Sequence, residues 1–158
     1  MLLLVLLSVG CLKPSGDTEV VQAPAFELPD LTGGKVALSS LKDKVVVLDF
    51  WATWCGPCLF ELPHYAEFWK KNHGRGVEVV GVACDSEPQE VLDMSRERQI
   101  PYRLLMSDGK VQDAYGAEGL PTTFVIDQRG YVRKKFLGAE PKKFEKLQET
   151  VDALLAAK

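Results

Sequence analysis

Residues 45–58 read VVVLDFWATWCGPC, and this segment carries most of the information about the architecture of the chain. Residues 45–50 form a β-branched and apolar run, which is typical of a strand covered on both faces. A helix is predicted from Cys58 to about Asn72, because apolar residues recur there at helical spacing, and Pro63 predicts a kink within it. The segment therefore predicts a buried strand, a short loop and a helix, with two cysteines at the loop–helix junction.

The cysteine pair of Cys55-Gly56-Pro57-Cys58 is placed for redox chemistry. A thiolate is the attacking species in disulfide exchange, and a helix N-terminus stabilises it through unpaired N–H groups and the helix dipole. Cys55 is predicted to be an exposed nucleophile that ionises readily and attacks a substrate disulfide. Cys58, predicted to be less exposed, then attacks Cys55 and releases the reduced substrate. A structural disulfide is one alternative for this pair.

Half of a zinc site is the other alternative. Zinc would need two further ligands. The remaining candidates are Cys84, His64 and His73, and they do not form a second pair. No metal and no cofactor are therefore predicted.

Turn-forming residues recur at regular intervals along the rest of the chain and separate its predicted strands and helices. Residues 26–41 predict a hairpin that turns at Thr32-Gly33-Gly34. A helix is predicted from Ser86, which forms a capping-box pattern with Gln89, to about residue 99. Further strands are predicted at residues 77–83, 102–106, 123–127 and 131–137, and a last helix opens at Pro141. This order predicts an α/β fold with a central mixed sheet flanked by helices on both faces.

Length and charge limit the functional classes. The chain has 158 residues, with 19 Lys and Arg against 22 Asp and Glu and a net charge of −3. One domain is expected at this length. Because the chain has no basic excess to neutralise phosphates, nucleic acid is not an expected partner.

The N-terminus is uncharged and apolar. Residues 1–10 read MLLLVLLSVG, a run too short to span a bilayer and suited to the apolar region of a secretory signal. Together with Cys11, the end of this run resembles the lipobox of bacterial lipoproteins, in which the cysteine is lipidated. A plain cleaved signal is the alternative. The expected organisation is a signal peptide at residues 1–10, a lipid anchor and linker at 11–24, and a single folded domain at 25–158.

The active-site segment resembles that of the thioredoxin superfamily, specifically its extracytoplasmic TlpA/ResA-like branch. The resemblance rests on LSSLKDKVVVLDFWATWCGPC at residues 38–58, on Glu61-Leu62-Pro63, and on AYGAEGLPTTFVID at residues 114–127 followed by Gly130. It covers about residues 24–157. It implies a thioredoxin-like fold with an N-terminal β-hairpin extension.

The resemblance also implies where a substrate peptide binds. Pro121 is expected to be a cis-proline facing the cysteines, with the backbone of Leu120 aimed at an extended peptide. Gly56 and Pro57 between the cysteines, and Trp54 at an exposed rim, complete the expected substrate surface. Trp51 is expected to pack beside the cysteines.

Two carboxylates are candidates for controlling the protonation of the cysteine pair. Asp49 lies in an apolar strand, where burial raises the pKa of a carboxyl and makes it a candidate acceptor of the Cys58 proton. The resemblance implies that Glu61 tunes the cysteine pair. The alternative for Asp49 is a structural acid, and the alternative for Glu61 is a solvated helix residue. Cys84 is expected to be an inert buried thiol, and the histidines to lie on the surface. The basic pairs at 134–135 and 142–143 are predicted to form solvated faces.

The leading hypothesis is a monomeric, lipid-anchored thiol–disulfide oxidoreductase outside the cytoplasm. The Gly-Pro dipeptide is that of thioredoxin, which favours reduction of oxidised protein substrates. Electrons are expected from a thiol-transferring donor in the membrane, and apocytochrome c is a typical substrate of the resembled branch. A peroxiredoxin-like peroxidase is one alternative, although Ala52 stands three residues before Cys55 where that pattern has threonine. A non-enzymatic lipoprotein that uses the cysteines as a ligand or docking pair is the other.

Overall fold

A mixed sheet of five strands forms the centre of the computed structural model, which describes residues 21–157. The predicted signal peptide and Cys11 lie outside the described residues. The sheet strands are β3 Val45–Trp51, β4 Val77–Ala83, β5 Arg103–Met106, β6 Thr122–Ile126 and β7 Val132–Leu137. Strand β3 is the middle of the order β5–β4–β3–β6–β7; it is parallel to β4 and antiparallel to β6.

Strand β3 is buried along its whole length, as its apolar sequence predicts. Alternate side chains point to opposite faces of a strand, so β3 contributes to two cores. Val45, Val47 and Trp51 pack in one core, whereas Val46, Leu48 and Phe50 pack in the other. Asp49 falls in the register of the first set.

Helices cover both faces of the sheet, as predicted. The helices are α1 Gly56–Asn72, α2 Pro88–Glu97, α3 Lys110–Tyr115 and α4 Lys143–Ala156, with short 3₁₀ turns at Leu38–Leu41 and His73–Arg75. Buried residues of α1, α2 and α4 belong to the core that contains Val45, and those of α3 to the core that contains Val46. No helix within residues 21–157 is long and apolar enough to cross a membrane.

The predicted N-terminal hairpin is present as strands β1 Glu27–Pro29 and β2 Lys35–Ala37. Asp30 organises its turn, because its Oδ1 accepts hydrogen bonds from the backbone N–H groups of Thr32 and Gly34 at 2.8 and 2.9 Å. Gly33 has a φ of +88°, a conformation that glycine adopts without a steric cost. The hairpin packs on the core that contains Val46.

Residues 21–24, which the prediction assigns to the linker, are in contact with the sheet. The N–H of Val132 donates to the carbonyl of Val21, and the N–H of Ala23 donates to the carbonyl of Gly130, both at 2.9 Å. These bonds place the segment beside the beginning of β7.

The predicted starts of α2 and α4 are wrong. Ser86 does not cap α2, whose N-cap is Glu87; its hydroxyl instead donates to the carbonyl of Cys84 at 2.9 Å. The last helix begins at Lys143 rather than at Pro141, because Lys142 adopts a left-handed conformation with φ +60°. Helix α3, six residues long, was not predicted.

Candidate active site

The cysteine pair lies at the N-terminus of α1. The helix begins at Gly56, two residues earlier than predicted, so Cys55 is its N-cap residue. The backbone N–H of Cys58 donates to Sγ of Cys55 at 3.3 Å. An N–H group of the first helical turn therefore points at the sulfur that would carry negative charge as a thiolate.

Cys55 and Cys58 form a disulfide with their Cα atoms 5.2 Å apart. Cys55 is 6% exposed and Cys58 is 2% exposed. The prediction of an exposed nucleophile is thus wrong for this oxidised form, because the disulfide and the surrounding core cover both sulfurs. Cys55 is still the more accessible of the two.

The surface around the pair is exposed and partly apolar. The side chain of Trp54 is prominent, with 64% of the residue exposed, and Gly56 and Pro57 are exposed between the cysteines. The indole N–H of Trp54 donates to the carbonyl of Asp85 at 3.0 Å, which fixes the orientation of the ring. Ser86 holds the same loop by accepting a hydrogen bond from the N–H of Thr53 at 3.1 Å.

The peptide bond between Leu120 and Pro121 is cis, as the resemblance implies. A surface cavity of about 600 Å³ adjoins this bond, and Lys135 and Leu137 are also in its wall. Within residues 21–157, no hydrogen bond engages the backbone N–H or carbonyl of Leu120. This short backbone edge is available to an extended peptide.

Asp49 is buried in β3 beneath α1, with 3% of the residue exposed. Its Oδ1 accepts hydrogen bonds from the hydroxyls of Tyr65 at 3.0 Å and Thr123 at 2.8 Å, and these hydroxyls are 2.7 Å apart. Burial raises the pKa of Asp49 to about 7, although the nearby charge of Lys143 acts to lower it.

Glu61 is also buried, and it is paired with a buried lysine. Nζ of Lys143 lies 2.7 Å from Oε2 of Glu61, and the two side chains are 1% and 4% exposed. Burial raises the pKa of the Glu61 carboxyl, opposed by the hydrogen bond from Lys143. The prediction that Lys143 lies on a solvated face is wrong, because the first residue of α4 points inward onto α1.

Tyr65, Thr123 and Lys143 are site residues that the sequence reasoning missed. The spacing of Tyr65 could have predicted its place in the site, since it lies seven residues after Cys58 and hence on the same face of α1. Thr123 carried no such signal, because its contact with Asp49 depends on the pairing of β6 with β3. Lys143 carried none, since it is one of two consecutive lysines.

Within residues 21–157, Cys84, His64 and His73 form no hydrogen bond with the cysteine pair, Asp49 or Glu61. Cys84 is a buried free thiol whose pKa is raised to about 12, chiefly by burial. That raised pKa keeps it protonated at neutral pH, consistent with an inert thiol. His64 and His73 are exposed, as predicted. Within residues 21–157, no group of three or more His, Cys, Asp or Glu side chains is arranged to hold a metal ion.

The chain is similar to known proteins over most of its length. Residues 21–135 match the AhpC/TSA family. The thiol-disulfide oxidoreductase ResA of Bacillus subtilis is 38% identical over 122 residues, which cover 77% of this chain and 68% of that protein. ResA of Bacillus anthracis is 35% identical over 122 residues, covering 77% and 70%. A solved Chlorobium tepidum protein assigned as the thiol:disulfide interchange protein DsbE superposes with a TM-score of 0.79 at 34% identity, covering 86% and 96%.

Proposed function

The chain belongs to the AhpC/TSA family of thioredoxin-like proteins and is a thiol–disulfide oxidoreductase, and we propose that it reduces disulfides in proteins outside the cytoplasm. The predicted membership of the thioredoxin superfamily and the predicted fold class are confirmed. The observation that carries the proposal is the placement of Cys55 as the N-cap of α1, with the N–H of Cys58 aimed at its sulfur.

The reaction proceeds in two exchange steps from the dithiol. The Cys55 thiolate attacks one sulfur of the substrate disulfide, which forms a mixed disulfide and releases one substrate thiolate. Cys58 then loses its proton to Asp49 and attacks Sγ of Cys55. This step closes the Cys55–Cys58 disulfide and releases the second substrate thiolate. Two electrons pass to the substrate.

The substrate surface combines the exposed parts of the site. Trp54, Gly56 and Pro57 contact the segment that carries the substrate disulfide, and the backbone edge at Leu120 and Pro121 pairs with its extended chain. The free backbone groups of Leu120 and the adjoining cavity support this placement. Apocytochrome c, a typical substrate of the resembled branch, is the natural first protein to assay.

Wild-type protein is expected to accelerate the reduction of insulin disulfides by dithiothreitol, because the helix terminus stabilises the attacking thiolate. Equilibration with dithiothreitol or glutathione buffers should give a midpoint near that of thioredoxin, about −270 mV. A midpoint near about −120 mV, that of a strong oxidant, would reverse the direction. Hydrogen peroxide consumption without protein disulfide reduction would favour the peroxidase alternative.

The proposed setting is the outer side of a membrane. We assign residues 1–10 to a signal peptide, 11–24 to a lipid anchor and linker, and 25–158 to the thioredoxin-like domain. The protein then acts as a monomer, and a thiol-transferring membrane protein restores its dithiol. This assignment rests on the sequence pattern around Cys11.

Metabolic labelling with a palmitate analogue is expected to label the wild-type protein and not a Cys11→Ser variant, because the lipid would be attached through Cys11. Cell fractionation should find the label in the membrane fraction. An unlabelled wild type that is still exported would favour a plain cleaved signal instead.

A further inference from the structure

We propose that Lys143 is a positioning residue for proton transfer: by pairing with Glu61 inside the core, it leaves Asp49 as the buried acid that exchanges a proton. The inference rests on the proposed role of Asp49 as acceptor of the Cys58 proton. Within residues 21–157, Nζ of Lys143 donates to Glu61 and Gly138 and not to the cysteines, so it acts through the acids.

The first step is the burial of the ion pair. A lysine ammonium is rarely removed from water, and its transfer into a core is costly unless a counter-charge lies in hydrogen-bond contact. Glu61 supplies that counter-charge at 2.7 Å, and the carbonyl of Gly138 lies 3.5 Å from the same Nζ. The pair joins the beginning of α4 to the helical turn that follows Cys58.

The second step is the proximity of this pair to Asp49. Nζ of Lys143 lies 5.5 Å from the centre of the Tyr65 ring, and the hydroxyl of the same tyrosine donates to Asp49. The ammonium and the carboxyl thus contact the same tyrosine side chain. In a core of low polarity, two charges on either side of one side chain influence each other more strongly than they would in water.

The third step is a count of buried charge. Two carboxyls and one ammonium occupy the space, so full ionisation of both acids would leave one uncompensated negative charge. The arrangement with the lowest cost pairs Glu61 with Lys143 and leaves the proton on Asp49. The Lys143–Glu61 contact therefore selects which of the two acids titrates near neutral pH.

The two partners act on Asp49 with opposite signs. Besides the dominant effect of burial, Lys143 lowers the pKa of Asp49, and Glu61 raises it by a smaller amount. The other titratable groups that face this network are Tyr65 on α1 and Tyr102 before β5. Their pKa values are raised, so they stay protonated through the range in which Asp49 titrates.

The surface side of the ion pair carries further charged groups. A cavity of about 420 Å³ borders Glu61 and Lys143. The titratable residues that also line it are His64, Glu140, Lys142 and Glu145. Among them, His64 acts to lower the pKa of Glu61.

The test is the titration of the Asp49 carboxyl by ¹³C NMR in the disulfide form, in which neither Cys55 nor Cys58 can titrate. The signal is assigned by its loss in Asp49→Asn, and the His64 ring is followed in parallel. Lys143→Met should raise the midpoint by about one pH unit, since an attractive charge is removed. Glu61→Gln should lower it by less, and the double variant should fall between wild type and Lys143→Met.

Lys146→Met is the matched control, because Lys146 lies on the same helix and pairs with Glu140 at 3.3 Å on the surface. It should leave the midpoint unchanged. If Lys143→Met fails to fold, Glu61→Gln and Lys143→Arg, which keeps the positive charge, carry the test. Equal midpoints in wild type and Glu61→Gln, or shifts of the same sign in both single variants, would overturn the inference. Failure of the acceptor role is separate: Asp49→Asn would then resolve mixed disulfides at the wild-type rate while the NMR shifts persist.

Discussion

A Cys58→Ser variant is expected to accumulate a covalent complex with its substrate, and a Cys55→Ser variant is expected to lose insulin reduction down to the uncatalysed rate. Cys55 is the more exposed residue of the pair, and its Sγ accepts a hydrogen bond from the N–H of Cys58, so we expect it to make the first attack. Without Cys58 the mixed disulfide has no internal thiol to resolve it. Non-reducing electrophoresis and mass spectrometry of the linked peptide measure the outcome.

Cys84→Ser is the control for these two variants. Cys84 is buried at the end of β4, and its thiol donates to the carbonyl of Val82 at 3.4 Å, a partner that a serine hydroxyl can keep. Insulin reduction should therefore continue in this variant. A trapped complex linked through Cys58, or full activity in Cys55→Ser, would contradict the assigned order of attack. Activity in Cys55→Ser would also favour the non-enzymatic binding role.

The features that the sequence predicts well are those set by local patterns. The run at residues 45–50 can be buried on both faces only in a central strand, and the structure places it there. The Thr32-Gly33-Gly34 turn is similar, because Asp30 and a glycine with positive φ satisfy it locally. The position of the cysteines follows from the same junction of strand and helix.

The features that the sequence does not predict depend on contacts between distant elements. Lys143 is 82 residues from Glu61 along the chain, and its burial depends on how α4 packs against α1. Ser86 fits a capping pattern, yet its hydroxyl bonds to Cys84 and to the loop at Thr53, so tertiary contacts override the local preference. Asp49 was predicted as a buried acid, but its hydroxyl partners come from α1 and β6.

Asp49→Asn is expected to stabilise the folded disulfide form at neutral pH relative to wild type, and the gain should disappear in acid. The pKa of Asp49 is about 7 in the fold against an ordinary value of 3.8. Between these values the folded state keeps a proton that the unfolded state has lost, so wild-type stability falls as pH rises. Asparagine has no such proton, so its advantage should grow by on the order of 4 kcal/mol from pH 4 to pH 8.

Urea unfolding at a series of pH values measures this difference, and Asp127→Asn provides a control of opposite sign. Burial acts to raise the pKa of Asp127, but hydrogen bonds from the N–H of Tyr131 and from Arg133 outweigh it and hold the pKa below its ordinary value. Asp127→Asn should therefore destabilise the protein near neutrality, and the loss should shrink as pH falls. A pH-independent effect of Asp49→Asn would mean that Asp49 titrates near its ordinary value.

The same substitution is expected to slow resolution of a preformed mixed disulfide by on the order of 10²-fold, as loss of a general base does. The wild-type rate should rise with pH as Asp49 ionises, with a midpoint near the value that the unfolding experiments report. Rapid-quench measurements from pH 6 to 9 follow this step directly. An unchanged rate, combined with the predicted gain in stability, would make Asp49 a structural acid. The other outcome is a slower rate in Asp49→Asn, together with a midpoint of the wild-type rate that equals the midpoint from unfolding. It would show that the Asp49 carboxylate whose charge costs stability at neutral pH is also the group that accepts the Cys58 proton.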